Sequence, residues 1–151
     1  MGRILVLYHS QEHGNTEVMA KAIADGAREA GAEVALANTN TVRLDPSEYR
    51  RFDAVAFGTP DYFGYIAGTL KTFADDWYLA LQKDRDGLER KTYGLFYSHG
   101  GGGNVREPFE KLFKHVGGQK VGDTVESHGK PNVTVLRACR ELGEKLAKSA
   151  E

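Results

Sequence analysis

Residues 4–30 read Ile-Leu-Val-Leu-Tyr-His-Ser-Gln-Glu-His-Gly-Asn-Thr-Glu-Val-Met-Ala-Lys-Ala-Ile-Ala-Asp-Gly-Ala-Arg-Glu-Ala. Two hydrophobic periods meet in this stretch. Ile4 to Tyr8 is a continuous apolar run, the pattern of a strand buried on both faces. From Thr16 the period changes: Met19, Ala22, Ile23, Ala27 and Ala30 recur at helical spacing. Glu17 sits in the first turn, where the helix dipole favours an acid, and Gly31 is a natural stop. The polar segment His9–Asn15, with Gly14 inside it, reads as the loop between them.

The alternation repeats outward from this unit. Val34–Ala37 reads as a second strand, Pro46–Arg51 as a stub of helix, and Ala54–Phe57 as a third strand followed by a loop, Gly58–Gly64. Ile66, Leu70, Phe73, Ala74, Trp77 and Leu81 line one face of a helix. Thr92–Tyr97 reads as the fourth strand and Ser98–Asn104 as another glycine-rich loop. Phe109, Leu112, Phe113 and Val116 mark a helix that tolerates Pro108 in its first turn. Lys120–Ser127 reads as the fifth strand. Leu136, Cys139, Leu142, Gly143 and Leu146 mark the closing helix, with Asn132 as its cap. Five alternations of strand and helix predict a parallel sheet with helices on both faces. Right-handed crossovers restrict it to a doubly wound three-layer α/β/α sandwich. The 151 residues suit one domain, residues 1–151.

Composition narrows the function. Hydrophobic residues make up 40% and charged residues 27%, an ordinary globular balance. The apolar run at Ile4–Leu7 is far short of the ~20 residues a membrane helix needs. Met1 leads almost directly into a strand, with no signal-peptide pattern, so the expected location is cytoplasmic. A single cysteine, Cys139, excludes an internal disulfide and any multi-cysteine metal site, and its apolar helical stripe places it in the core. Twenty basic against 21 acidic residues give a net charge of −1, which predicts neither a nucleic-acid partner nor an anionic membrane surface.

In sheets of this kind ligands bind outside the carboxyl ends of the strands, where the strand order reverses. With the order 2-1-3-4-5 the reversal lies between strands one and three. The loops reaching that crevice are His9–Asn15, Gly58–Gly64 and Ser98–Asn104. The first suits a phosphate. Ser10, His13, Gly14, Asn15 and Thr16 stand at a helix N-terminus, whose free N–H groups and dipole make an anion site. An ordinary capped helix with Asn15 or a neighbour as cap is the alternative. The second loop carries Tyr62 and Phe63, two rings able to face a planar ligand or to fold back onto the core. The glycines of the third loop leave main-chain N–H groups open to a flat ring edge.

Competing sites fail on their spacings. A nicotinamide fingerprint needs three spaced glycines after the first strand, where only Gly14 stands. No segment supplies the glycine, lysine and hydroxyl of a P-loop. A receiver domain needs an acidic pair after strand one and an aspartate ending strand three; Glu12 alone and Thr59 do not fit. The five histidines show no metal-ligand spacing, so no metal is expected. His13 and His99 sit in candidate loops, and His128, ending strand five, borders the same edge.

Two motifs carry a family resemblance. Tyr8-His9-Ser10 leading to Gly14-Asn15-Thr16-Glu17 resembles the phosphate loop of flavodoxins. Gly58-Thr59-Pro60-Asp61-Tyr62-Phe63-Gly64-Tyr65-Ile66-Ala67-Gly68, then Leu70-Lys71, Phe73 and Asp75, resembles the loop and helix of WrbA-type NAD(P)H:quinone oxidoreductases. Ser98–Asn104 is similar to their third flavin loop. The resemblance implies a flavodoxin-like fold with bound FMN. Its phosphate would meet Ser10, His13, Gly14, Asn15 and Thr16; its ring system would lie against Thr59, Pro60, Asp61, Tyr62, Phe63 and Gly64. Ser98, His99, Gly100, Gly101 and Gly102 would close the pyrimidine side, with His99 as the candidate catalytic residue. Two departures are visible: Gln11, Glu12 and His13 lengthen the first loop and replace a hydroxyl residue, and the 151 residues leave little room for the added segment that helps WrbA-type enzymes tetramerise. The resemblance implies electron transfer from NAD(P)H through FMN to a quinone or other small acceptor. A carrier working between redox protein partners is the alternative, and a homo-oligomer is compatible with either. The net charge of −1 favours the enzyme, because carriers use strong acidity to steer docking.

Overall fold

The computed structural model describes residues 2–11 and 13–151. The elements are β1 (Arg3–Tyr8), α1 (Asn15–Glu29), β2 (Glu33–Asn38), α2 (Pro46–Tyr49), β3 (Ala54–Pro60), α3 (Gly68–Lys83), β4 (Thr92–His99), α4 (Arg106–Val116), β5 (Val125–His128) and α5 (Val133–Ser149). The five strands form one parallel sheet in the order β2-β1-β3-β4-β5. Among the described residues no helix is long and apolar enough to cross a membrane.

Side chains of a strand alternate between faces, so a run that is apolar throughout serves two cores. In β1, Leu5 and Leu7 join Val55, Phe57 and Leu95 beneath α3 and α4. Ile4, Val6 and Tyr8 join Ala54, Ala56 and Phe96 beneath α1 and α5. Phe57 anchors the first core, with ring centroids of Phe113 at 4.4 Å, Phe73 at 6.2 Å and Tyr93 at 6.3 Å. Cys139 is fully buried in the second.

Over that second core α1 and α5 touch backbone to backbone. A Cβ on Gly26 would lie 2.1 Å from the Arg140 carbonyl oxygen, and one on Gly143 2.0 Å from that of Ile23. A mid-helix glycine costs up to ~1 kcal/mol against alanine. Here two of them let one helix sit in the groove of the other.

The structure moves four expected boundaries. β4 runs past Tyr97 to His99, because Ser98 and His99 pair with Ser127 and His128, so the third loop starts at Gly100. β3 runs through Gly58 to Pro60, because Gly58, Thr59 and Pro60 pair with Phe96, Tyr97 and Ser98. Gly58 is therefore a packing glycine, its missing Cβ replaced by the Phe96 ring, and not the start of a loop. β5 is Val125–His128 rather than Lys120–Ser127: Lys120 makes an isolated bridge to Tyr93, and Gly122 at φ +66° turns the chain. α2 ends at Tyr49, short of Arg51. The expected Asn132 cap is present, its side-chain oxygen accepting from the Val135 N–H at 2.9 Å.

Candidate functional site

The loops after β1, β3 and β4 converge at the sheet's carboxyl edge around a cleft of ≈ 370 Å³. Ser10, His13, Gly14, Asn15 and Thr16 line it from the first loop, with Gln11. Pro60, Asp61 and Tyr62 line it from the second; Ser98, His99 and Gly100 from the third, with Gly129 beside them. Thr59, Phe63, Gly64, Gly101 and Gly102 do not line the cleft. Glu12 lies outside the described residues.

The first loop leaves its helix open. Asp45 caps α2 and Asn132 caps α5 with side-chain oxygens, but Gly14 occupies the cap of α1 and has no side chain to offer; among the described residues Ser10 takes the Glu17 N–H, and the N–H groups of Asn15 and Thr16 have no partner. The N–H groups and positive dipole end of α1 thus face the cleft. Gly14 adopts φ +71°, a conformation that favours glycine. Of the two caps that the ordinary-helix alternative allows, the neighbour Gly14 holds the position, and Asn15 is already the first helical residue. Asn38, at the end of β2, clamps Ser10: its Oδ1 accepts from the Ser10 N–H and its Nδ2 donates to the Ser10 carbonyl, each at 3.0 Å. Ser10 Oγ accepts from the Glu17 N–H at 3.2 Å. Thr16 Oγ1 lies 2.8 Å from Ser98 Oγ, both buried, and joins the first loop to the third.

The second loop is stiffened from within. Asp61 Oδ1 accepts from the Gly64 N–H at 2.8 Å and Oδ2 from the Val105 N–H at 3.3 Å. Tyr62 and Tyr65 exchange backbone hydrogen bonds of 3.0 Å. Thr59, fully buried, accepts from the Ala67 N–H and donates to the Pro60 carbonyl, so it fastens the loop from below. Tyr62 receives a hydrogen bond from Gln11 Nε2 at 3.1 Å and meets the His9 ring edge-on at 5.6 Å. His9 is buried, its Nδ1 2.6 Å from Thr69 Oγ1, and burial holds its pKa below the usual histidine value. At the tip, Phe63 stands wholly in solvent with φ +58°, a conformation costly for a bulky residue.

The third loop is open. A Cβ on Gly100 or Gly101 would meet nothing within 4 Å, and neither needs a positive φ. The fold itself therefore gives no reason for glycine at 100 or 101. His99 lies between this loop and β5. Both its ring nitrogens are buried without a hydrogen-bond partner among the described residues. No lysine or arginine lines the cleft.

The flavodoxin family model matches residues 6–143. The chain belongs to the flavodoxin family. A curated relative, the NAD(P)H dehydrogenase (quinone) of Archaeoglobus fulgidus, is 33% identical over 193 residues, covering all of this chain and 98% of that protein. An alignment longer than the chain means that the relative carries segments this chain lacks. A flavodoxin from the domain Archaea superposes with a TM-score of 0.83 at 23% identity over 98% of both chains, which shows the fold. A flavodoxin, WrbA-like protein from Agrobacterium tumefaciens superposes with a TM-score of 0.77 at 26% identity, over 99% of this chain and 98% of that one.

Membership brings FMN as the cofactor, and the cleft's chemistry fits it. The glycine-capped start of α1 suits a phosphate without a cation beside it. Gly100 leaves a space in the cleft wall that a side chain would fill. The two unpartnered nitrogens of His99 are buried polar atoms of the kind that folded proteins satisfy.

Proposed function

We propose that this flavoprotein is an oxidoreductase of the WrbA kind, passing electrons from NAD(P)H through FMN to a quinone-type acceptor. The observation that carries the choice of enzyme over carrier is the relative matched over the whole chain at 33% identity, whose name is that activity. The near-neutral charge supports it, since −1 steers a basic redox protein only weakly. FMN, when bound, supplies the hydride and electron chemistry; the protein binds, orients and tunes.

In this reading the α1 N-terminus, with Ser10, His13, Gly14, Asn15 and Thr16, holds the phosphate. Pro60 and Tyr62 form one wall for the ring system, shaped by the internal bonds of Thr59, Asp61 and Gly64. Ser98, His99 and the main chain of Gly100–Gly102 close the other side. Phe63, held in water at the rim, offers a face to an incoming planar substrate. His99 donates a proton to the acceptor as charge develops on its oxygen, a role suited to histidine near neutral pH.

Two experiments test this. Thr16→Val keeps the side-chain shape and removes the hydroxyl that joins the two loops. In this reading the same hydroxyl also reaches the phosphate, and a hydrogen bond to a charged group is worth ~1.5–3 kcal/mol, so FMN affinity should fall ~10- to 100-fold in a fluorescence titration. Unchanged affinity places the phosphate elsewhere. Steady-state oxidation of NAD(P)H with a quinone should give ping-pong kinetics, with turnover ~100-fold lower in FMN-saturated His99→Ala. Equal rates remove His99 from the mechanism. No turnover with any quinone leaves the electron carrier.

A further inference from the structure

We propose that His99 is a proton acceptor coupled to reduction of the cofactor, taking up one proton at Nε2, and that Glu126 is the positioning residue that holds the proton there. The inference rests on the reading that FMN occupies the cleft. It does not depend on which acceptor the protein serves.

The β4–β5 register builds the group. Tyr97 stands opposite Glu126, and His99 opposite His128. The two imidazoles are parallel within 8°, with centroids 4.8 Å apart. The His99 side chain is only 7% exposed, and Glu126 Oε2 lies 3.4 Å from its Nε2. That contact is close enough for an ion pair but off-line for a hydrogen bond, so both nitrogens remain unpartnered. The Tyr97 hydroxyl donates to the same Glu126 oxygen and pins it. Burial and then that bond push the Tyr97 pKa up to about 12, so Tyr97 stays a donor.

One proton suffices for the stacked pair, because two parallel imidazolium rings at this distance repel. The choice between the rings follows from their partners. His128 Nε2 lies 3.1 Å from the Gly100 carbonyl oxygen, which only accepts, so this nitrogen already carries its hydrogen. His99 has the carboxylate. The other charged or titratable groups around the pair are Arg106 of α4, which acts on Tyr97, and Asp61 and His13 across the cleft. None of them comes between His99 and Glu126 in the hydrogen bonds of the site.

The balance is as follows. Two electrons from a reductant and one proton go to the cofactor. A second proton, from water, goes to His99 Nε2 and offsets the negative charge that reduction brings to the cleft. The acid that the proposed activity needs is thereby loaded by reduction itself.

The test uses the FMN-bound protein and dithionite, with no quinone. One proton per two electrons lowers the midpoint potential by ~30 mV per pH unit, and two protons by ~59 mV, since a tenfold change is 29.6 mV for a two-electron couple. Wild type should show the steeper slope across neutral pH. His99→Gln should show the shallower one over the same range. In Glu126→Gln the amide still accepts from Tyr97, and the steep segment should move to lower pH. Histidine Cε1–H resonances, recorded at neutral pH before and after reduction, should show His99 gaining a proton and His128 remaining neutral. An unmoved His99 resonance, or the same slope in wild type and His99→Gln, overturns the proposal. Full FMN affinity in Gly100→Leu would instead defeat the underlying reading of the cleft.

Discussion

Gly143→Val is expected to lower the thermal midpoint by roughly 6–12 °C. The new Cβ would sit 2.0 Å from the Ile23 carbonyl oxygen, a backbone atom that no rotamer change can move. α1 and α5 must separate, and overpacking of this severity costs about 3 kcal/mol, with ~2–4 °C of midpoint per kcal/mol in a chain of this length. Gly68→Ala is the control. Its Cβ would meet nothing within 4 Å at the start of α3, so its midpoint should stay within ~1–2 °C of wild type. Circular dichroism melts of the two variants check this. Similar losses in both would mean that α1 and α5 are not in backbone contact.

Gly100→Leu is expected to do the reverse: leave the melting temperature of the apoprotein unchanged and weaken FMN at least ~100-fold, about 2.7 kcal/mol. A Cβ at position 100 meets nothing within 4 Å and needs no unusual φ, so the backbone there tolerates a side chain. Gly100 lines the cleft, so a leucine there competes with any flat ligand for the same volume. Fluorescence titration of the apoprotein measures the loss. A variant that binds FMN like wild type would show that the ring system does not reach this loop.

The fold was largely legible in the sequence because its signals are local. A run apolar at every position, as in Ile4–Tyr8, can only be a strand covered on both sides, and the structure divides it between two cores. The boundaries that shifted depended on partners far along the chain. Gly58 has the look of a turn residue until Phe96 is placed against it. Lys120–Ser127 contains strand-like residues, but the turn at Gly122 breaks them, and β5 forms only where it meets the end of β4.

For the site, loop positions were readable and side-chain duties were not. Ser10, Gly14 and Thr16 line the cleft as their place after β1 predicts. Thr59 and Asp61, which the family resemblance sets against the ring system, spend their polar atoms on neighbouring backbone. Asn38 and Glu126 went unnoticed because each acts across the sheet. The strand order offered a route to Glu126. His128 was placed at the right edge, and a residue two positions earlier on a strand shares its face.

The glycine contact between α1 and α5 also orders events during synthesis. The loop after β1 is translated within the first 16 residues, and the last of the cleft's lining, Gly129, much later. Even then α1 rests on the sheet alone, without its helical neighbour, until Gly143 and its neighbours leave the ribosome and α5 docks. Local pairing of β1 with β2 brings Asn38 to Ser10 early, but the helix that presents the open N–H groups is still free to pivot. A nascent chain stalled near residue 130 therefore carries the three loops without a rigid cleft. Loading with flavin belongs to the finished chain, and a ribosome-bound intermediate of that length should emerge without the yellow colour.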